Sequence, residues 1–120
     1  MQVSLQRQPI ENVDADALIV IVFEDQKQDR LGLAELYDSG EIKGKPLEFT
    51  LLHKVPGVRA KRVLAVGGGK PDKFEPADLR KAAGAAIRHL KSKSITRGAL
   101  FLDPPHATGE FAAAAVEGAV

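Results

Sequence analysis

The sequence predicts an α/β fold: a three-layer α/β/α sandwich built on a mixed sheet. Three observations predict it. Strand-like and helix-like patterns alternate along the chain. One apolar run is long and β-branched enough to be a strand covered on both faces. One alanine-rich segment repeats its apolar residues at helical spacing. The chain has 120 residues, 44% hydrophobic and 28% charged, with 11 Gly and 7 Pro. That is the size of one domain, enough to bury roughly two-thirds of its unfolded surface.

The elements follow in order. Val3 and Leu5 alternate with polar residues, the pattern of a half-buried edge strand. Asn12 to Asp16 is mostly polar and turn-like. Ala17-Leu18-Ile19-Val20-Ile21-Val22-Phe23 is the unbroken apolar run, a central strand. Asp29 suits the N-cap of a short helix whose buried stripe is Leu33, Leu36 and Tyr37, with Gly40 placed to end it. Leu47 to Leu52 reads as a strand, and Val55-Pro56-Gly57 as a turn in which Pro presets φ and Gly accepts a positive one. Arg62 to Val66 is another strand, ending at Gly67-Gly68-Gly69.

Pro76 fits the first turn of a helix, and Asp78 suits its positive end. Leu79, Ala83, Ala86, Ile87 and Leu90 form its apolar face; Arg80, Lys81, Arg88 and Lys91 take the polar remainder. Ala99 to Leu102 is a short strand stopped by Asp103-Pro104-Pro105. Thr108 can cap a last helix, which is still running from Glu110 at Val120, as expected of a piece of a longer protein.

Composition narrows the function. There are no cysteines, which excludes a disulfide scaffold, a thiol nucleophile and Cys-ligated zinc, and suits the cytosol. The opening MQVSLQRQPIENVDAD has no apolar stretch of the kind a secretory signal needs. No apolar run approaches the roughly 18 residues that span a bilayer. The net charge of +1 conceals an asymmetry: residues 53–97 carry 12 Lys/Arg against 3 Asp/Glu, and the remainder 5 against 13. A solvated basic helix opposite an acidic region explains this, as does an anionic partner such as nucleic acid. Only Phe74 is aromatic in the basic stretch, so stacking platforms for single strands are missing.

The motifs that promise chemistry fail on inspection. Gly67-Gly68-Gly69-Lys70 after a strand evokes a P-loop, which needs Gly, four residues, then Gly-Lys-Ser/Thr. Here Leu64 replaces the first glycine and Pro71 the hydroxyl residue. A dinucleotide fingerprint starting at Gly67 and Gly69 meets Asp72 at its last position, and the helix begins several residues late. A flexible strand-to-helix connection is the simpler reading. His53, His89 and His106 are not paired at ligand spacing. Asp14 and Asp16 flank Ala15 as solvated turn residues rather than an acid–base pair. The four serines and three threonines sit in no nucleophile motif. No catalytic, cofactor-binding or metal-ligating residue is assigned on this chain.

Leu51 to Gly67, LLHKVPGVRAKRVLAVG, resembles the N-terminal domain of leucyl aminopeptidases, the cytosol aminopeptidase family. The likeness covers the Pro-Gly turn, the basic pair Lys61-Arg62, the apolar strand and the glycines after it. It continues through Phe74 and the alanine-rich Asp78 to Ala86. Ala17 to Asp25 resembles the family's first buried strand, and Ala115 to Ala119 the helix leading toward the catalytic domain. The resemblance implies a macro-domain-like fold for residues 1–120, a single non-catalytic N-terminal domain serving assembly and access to the active site. It further implies a cytoplasmic homohexameric parent that releases N-terminal residues, often Leu, from peptides. The parent's two divalent metals, zinc or manganese, would be held by Asp, Glu and Lys of a C-terminal catalytic domain that this chain does not contain. This chain alone is expected to be inactive.

Two other partners enter through the resemblance. Macro domains bind ADP-ribose through an Asp-Ala-Ile-Val-Asn-Ala-Asn type of segment; Asp16-Ala17-Leu18-Ile19 fits its start, but Val20-Ile21-Val22 replaces its polar part and cannot hydrogen-bond a ribose. Some bacterial members of the family bind DNA, which keeps the basic stretch of interest.

Overall fold

The computed structural model describes residues 2–6, 15–24, 33–55, 57–95 and 97–101. Five strands form one sheet: β1 (Gln2–Gln6), β2 (Ala17–Val22), β3 (Phe49–His53), β4 (Arg62–Gly67) and β5 (Arg97–Phe101), in the order β1-β5-β2-β4-β3. Strands β1, β5, β2 and β4 run parallel, and β3 is antiparallel to β4, so the sheet is mixed as expected. The apolar run of β2 lies at the centre, every residue from Ala17 to Phe23 buried. Among the described residues β1 pairs with β5 alone, at the edge of the sheet.

The period-two alternation of β2 builds two cores. Ala17, Ile19, Ile21 and Phe23 point to one face and join Leu64, Val66 and Leu100 under helix α2 (Pro76–Ser92). Leu18, Val20 and Val22 point to the other and join Val63, Ala65 and Phe101 under helix α1 (Leu33–Ser39) and the segment holding Ile42, Val55 and Ala60. These are the three layers. Leu33 is fully buried, and Leu36 and Tyr37 pack beside it, the stripe expected of α1. Gly40, at φ +81°, donates its N–H to the Tyr37 carbonyl at 3.1 Å, as a helix-ending glycine does.

α2 carries the predicted face: Leu79, Ala83, Ala86, Ile87 and Leu90 are buried, with Ala82 beside them. Its start is fixed by the Asp78 carboxylate, which accepts the Glu75 N–H at 2.9 Å. Its end is a Schellman turn. Ser94 sits at φ +60° with its N–H on the Lys91 carbonyl at 3.0 Å, and the buried Ile95 donates to the Leu90 carbonyl at 3.1 Å.

β3 starts two residues later than the sequence suggests. Leu47 lies at φ +59°, outside the strand region, and its N–H turns to the Gly67 carbonyl at 2.9 Å. The Pro-Gly turn closes through the Val58 N–H on the Val55 carbonyl at 3.3 Å, with Gly57 at φ +81°. β5 begins at Arg97, two residues earlier than expected. The expected Asp29 cap, Asp14, Leu102, His106, Thr108 and the helix from Glu110 lie outside the described residues.

Candidate functional site

The glycine run sits where β4 leaves the sheet, and it is not a phosphate cradle. All three amides are already bonded to backbone carbonyls: Gly67 N–H to Glu48, Gly68 N–H to Val22 and Gly69 N–H to Gly44, each at 2.8 Å. None is left to donate to an anion. The expectation of a flexible connection is corrected by the same bonds. The Gly69 carbonyl also accepts the Glu24 N–H at 2.9 Å, so the run fastens the end of β2 to residues 44–48. Glycine is required for closeness. A Cβ on Gly68 would stand 2.7 Å from the Phe23 ring, and one on Gly67 would collide with the Lys45 carbonyl. The chain then passes through a 3₁₀ turn (Pro71–Lys73) before α2 begins.

Above this junction lies a crevice of about 420 Å³. Gly67, Gly68 and Gly69 line it at the carboxyl ends of β2 and β4. Pro46 and Leu47 on one side and Phe74 and Ala82 on the other give it apolar walls. Phe74 is held edge-on against Phe23, ring centroids 5.1 Å apart. Leu47, 44% exposed, is the exposed large hydrophobic side chain among the described residues. Lys70, Lys73 and Lys81 line the same space, with Glu24 and Asp78.

Among the described residues, those singled out from the sequence do not converge. His53 is exposed at the end of β3. His89, on α2, stacks on Phe49 with centroids 5.0 Å apart and planes 17° from parallel. Asp16 pairs with Lys61 at 3.7 Å, an ordinary surface ion pair. Among the described residues no group of three His, Cys, Asp or Glu side chains is placed to hold a metal ion. Val20, Ile21 and Val22 are buried in the two cores. Arg80, Lys81, Arg88 and Lys91 are exposed on α2. No helix among the described residues is long and apolar enough to cross a membrane. Sequence reasoning missed the crevice itself. Its signal was faint: three lysines of the basic stretch, and a Pro-Leu pair that carried no local pattern.

A sequence model of the cytosol aminopeptidase family, N-terminal domain, matches residues 19–120. The chain belongs to that family. A probable cytosol aminopeptidase of Solibacter usitatus (strain Ellin6076) is 52% identical over all of this chain and 25% of its own length. The chain thus spans about a quarter of the curated relatives it matches. Among solved structures, the bottromycin maturation enzyme BotP in complex with Mn superposes with a TM-score of 0.63 at 27% identity, over 88% of this chain and 22% of that one. A tomato leucine aminopeptidase mutant shares the fold, with a TM-score of 0.66 at 17% identity over 99% of this chain and 27% of that one. So does the macrodomain of Mycobacterium tuberculosis DarG, with 0.60 at 13% over 91% and 79%. The macro-domain-like fold expected of an aminopeptidase N-terminal domain is therefore the observed one.

Proposed function

We propose that residues 1–120 are the non-catalytic N-terminal domain of a metal-dependent leucyl aminopeptidase. The parent is a cytoplasmic homohexamer that releases N-terminal amino acids from peptides. The observation that carries this reading is the 52% identity across the whole chain to a probable cytosol aminopeptidase of which the chain covers only 25%. The parent's reaction depends on two divalent ions, zinc or manganese, and their ligands belong to the C-terminal catalytic domain. The Mn complex of BotP, 27% identical over the shared region, supports a metal in the parent. This domain's part is assembly and access to the active site.

The test compares this chain with the complete parent on leucine p-nitroanilide in Mn²⁺. The parent turns the substrate over and loses activity to a chelator; the chain alone shows none. Metal-dependent turnover by the isolated chain overturns the assignment.

A further inference from the structure

We propose that the crevice over the glycine run binds a small apolar zwitterion: an apolar amino acid or a short peptide with both termini free. Its walls carry charges of both signs. Glu24 stands just past the end of β2. Lys70 precedes the 3₁₀ turn, Lys73 ends it and Lys81 lies on α2. None of these four forms an ion pair among the described residues, although all line one cavity of about 420 Å³. The carboxylate and the ammonium groups are therefore held apart across a shared space. Asp78, the other carboxylate there, already accepts the Glu75 N–H at the start of α2. Glu24 is half-buried, so its carboxylate has given up part of its water without gaining a cation.

Mixed charge selects the ligand. An anion drawn to the lysines meets Glu24 and Asp78, and a cation drawn to Glu24 meets the lysines. A zwitterion sets its ammonium on Glu24 and its carboxylate among the lysines, so each charge meets its opposite. The floor favours that orientation. The amides of Gly67, Gly68 and Gly69 are committed to backbone carbonyls, which leaves the carboxylate end to the lysines. The apolar part of the ligand has its own wall. Pro46, Leu47, Phe74 and Ala82 line the cavity, and a ligand's aliphatic chain lying there covers Leu47, which is otherwise exposed. The walls are set before any ligand arrives: Phe74 rests edge-on against Phe23, and residues 44–48 are bonded to the glycine run. A cavity of this size holds a small molecule. The ligand class follows from the crevice's own side chains, whatever the parent hydrolyses.

Amide NMR titration of this chain with L-leucine tests the proposal, beside glycine, N-acetyl-leucine, leucinamide, leucyl-leucine and ADP. Leucine is expected to shift the Gly68 and Ala82 amides with a Kd of about 1–10 mM, as suits exposed charge pairs. Glycine lacks the apolar chain, N-acetyl-leucine the ammonium and leucinamide the carboxylate; each should bind about fivefold more weakly or worse. Leucyl-leucine tighter than leucine assigns the site to peptides, and no tighter assigns it to free amino acids; both uphold it. Glu24→Gln should weaken leucine about fivefold and leave N-acetyl-leucine unchanged. The triple variant Lys70→Gln, Lys73→Gln, Lys81→Gln should weaken leucine as much and leave leucinamide unchanged. Circular dichroism and urea midpoints check that both variants fold. Lys93→Gln, exposed beyond the end of α2, should change nothing. No shift by about 50 mM leucine, ADP tighter than leucine, a blocked analogue or glycine equal to leucine, folded variants that still bind leucine fully, or an equal loss in Lys93→Gln overturns the proposal.

Discussion

A Cβ on Gly67 would collide with the backbone carbonyl of Lys45. The Gly67 N–H reaches the Glu48 carbonyl at 2.8 Å, and the Leu47 N–H reaches the Gly67 carbonyl at 2.9 Å. Residues 45–48 are thus strapped directly onto the end of β4, and this strap forms one wall of the crevice.

Gly67→Ala should therefore cost about 2–4 kcal/mol, from overpacking and the loss of at least one of these bonds. Gly57→Ala is the comparison. Nothing lies within 4 Å of a Cβ there, and only the φ of +81° opposes it, which costs about 1 kcal/mol. Urea unfolding of both variants measures the difference. A Gly67→Ala loss no larger than that of Gly57→Ala would show that close approach is not what glycine serves here.

The fold was largely legible because its signals are local. The apolar run from Ala17 to Phe23 has no polar residue to give it an outer face, so it had to be central. The spacing of Leu79, Ala83, Ala86 and Leu90 fixes the buried side of α2 without any tertiary information. The strap was not legible. Leu47 looks like the first residue of a strand, and nothing beside it reveals that its N–H turns to a carbonyl twenty residues on. The glycines showed that backbones come close there, but not that each amide finds a carbonyl. The crevice depends on the same long-range arrangement, bringing Pro46 opposite Ala82, and no periodicity encodes it.

Ser94 occupies the left-handed position that closes α2, at φ +60°. A side chain there costs about 1 kcal/mol relative to glycine. Ser94→Gly should raise stability by about 0.5–1 kcal/mol, read as a higher urea midpoint with an unchanged slope. The side chain is exposed, so no packing is lost in exchange. A destabilised variant would mean that the Schellman turn is not the geometry adopted.

Leu90 ties α2 to the sheet. It is fully buried in the core that includes Ala17 and Leu100, and its Cδ1 lies 3.8 Å from where a Cβ on Gly98 would be. Leu90→Ala should cost about 2–5 kcal/mol through the lost transfer energy and the cavity left behind. Arg88→Ala, on the exposed side of the same helix, should stay within about 0.5 kcal/mol. Thermal and urea unfolding of the pair separate the two faces; equal losses would contradict the placement of the helix.

Tyr37 makes stability depend on alkaline pH. Its hydroxyl donates to the Phe23 carbonyl at 3.0 Å, tying α1 to the end of β2. Burial raises the phenol above its ordinary value near 10, because the tyrosinate is the form that loses hydration. The folded protein thus holds this proton at a pH where the unfolded chain has released it. The contribution is complete below about pH 10 and falls as the pH rises through that value toward the folded one. Tyr37→Phe removes both effects. At about pH 8 the variant should be less stable by about 0.5–1.5 kcal/mol, the usual worth of one hydrogen bond. Near pH 11 the wild type should have lost stability that the variant keeps, so the gap between them should narrow. The two proteins differ only in this hydroxyl, so contributions common to both cancel from the comparison. Urea midpoints of the two proteins at each pH decide it, and a gap that widens with pH would show that the folded state does not favour the neutral phenol.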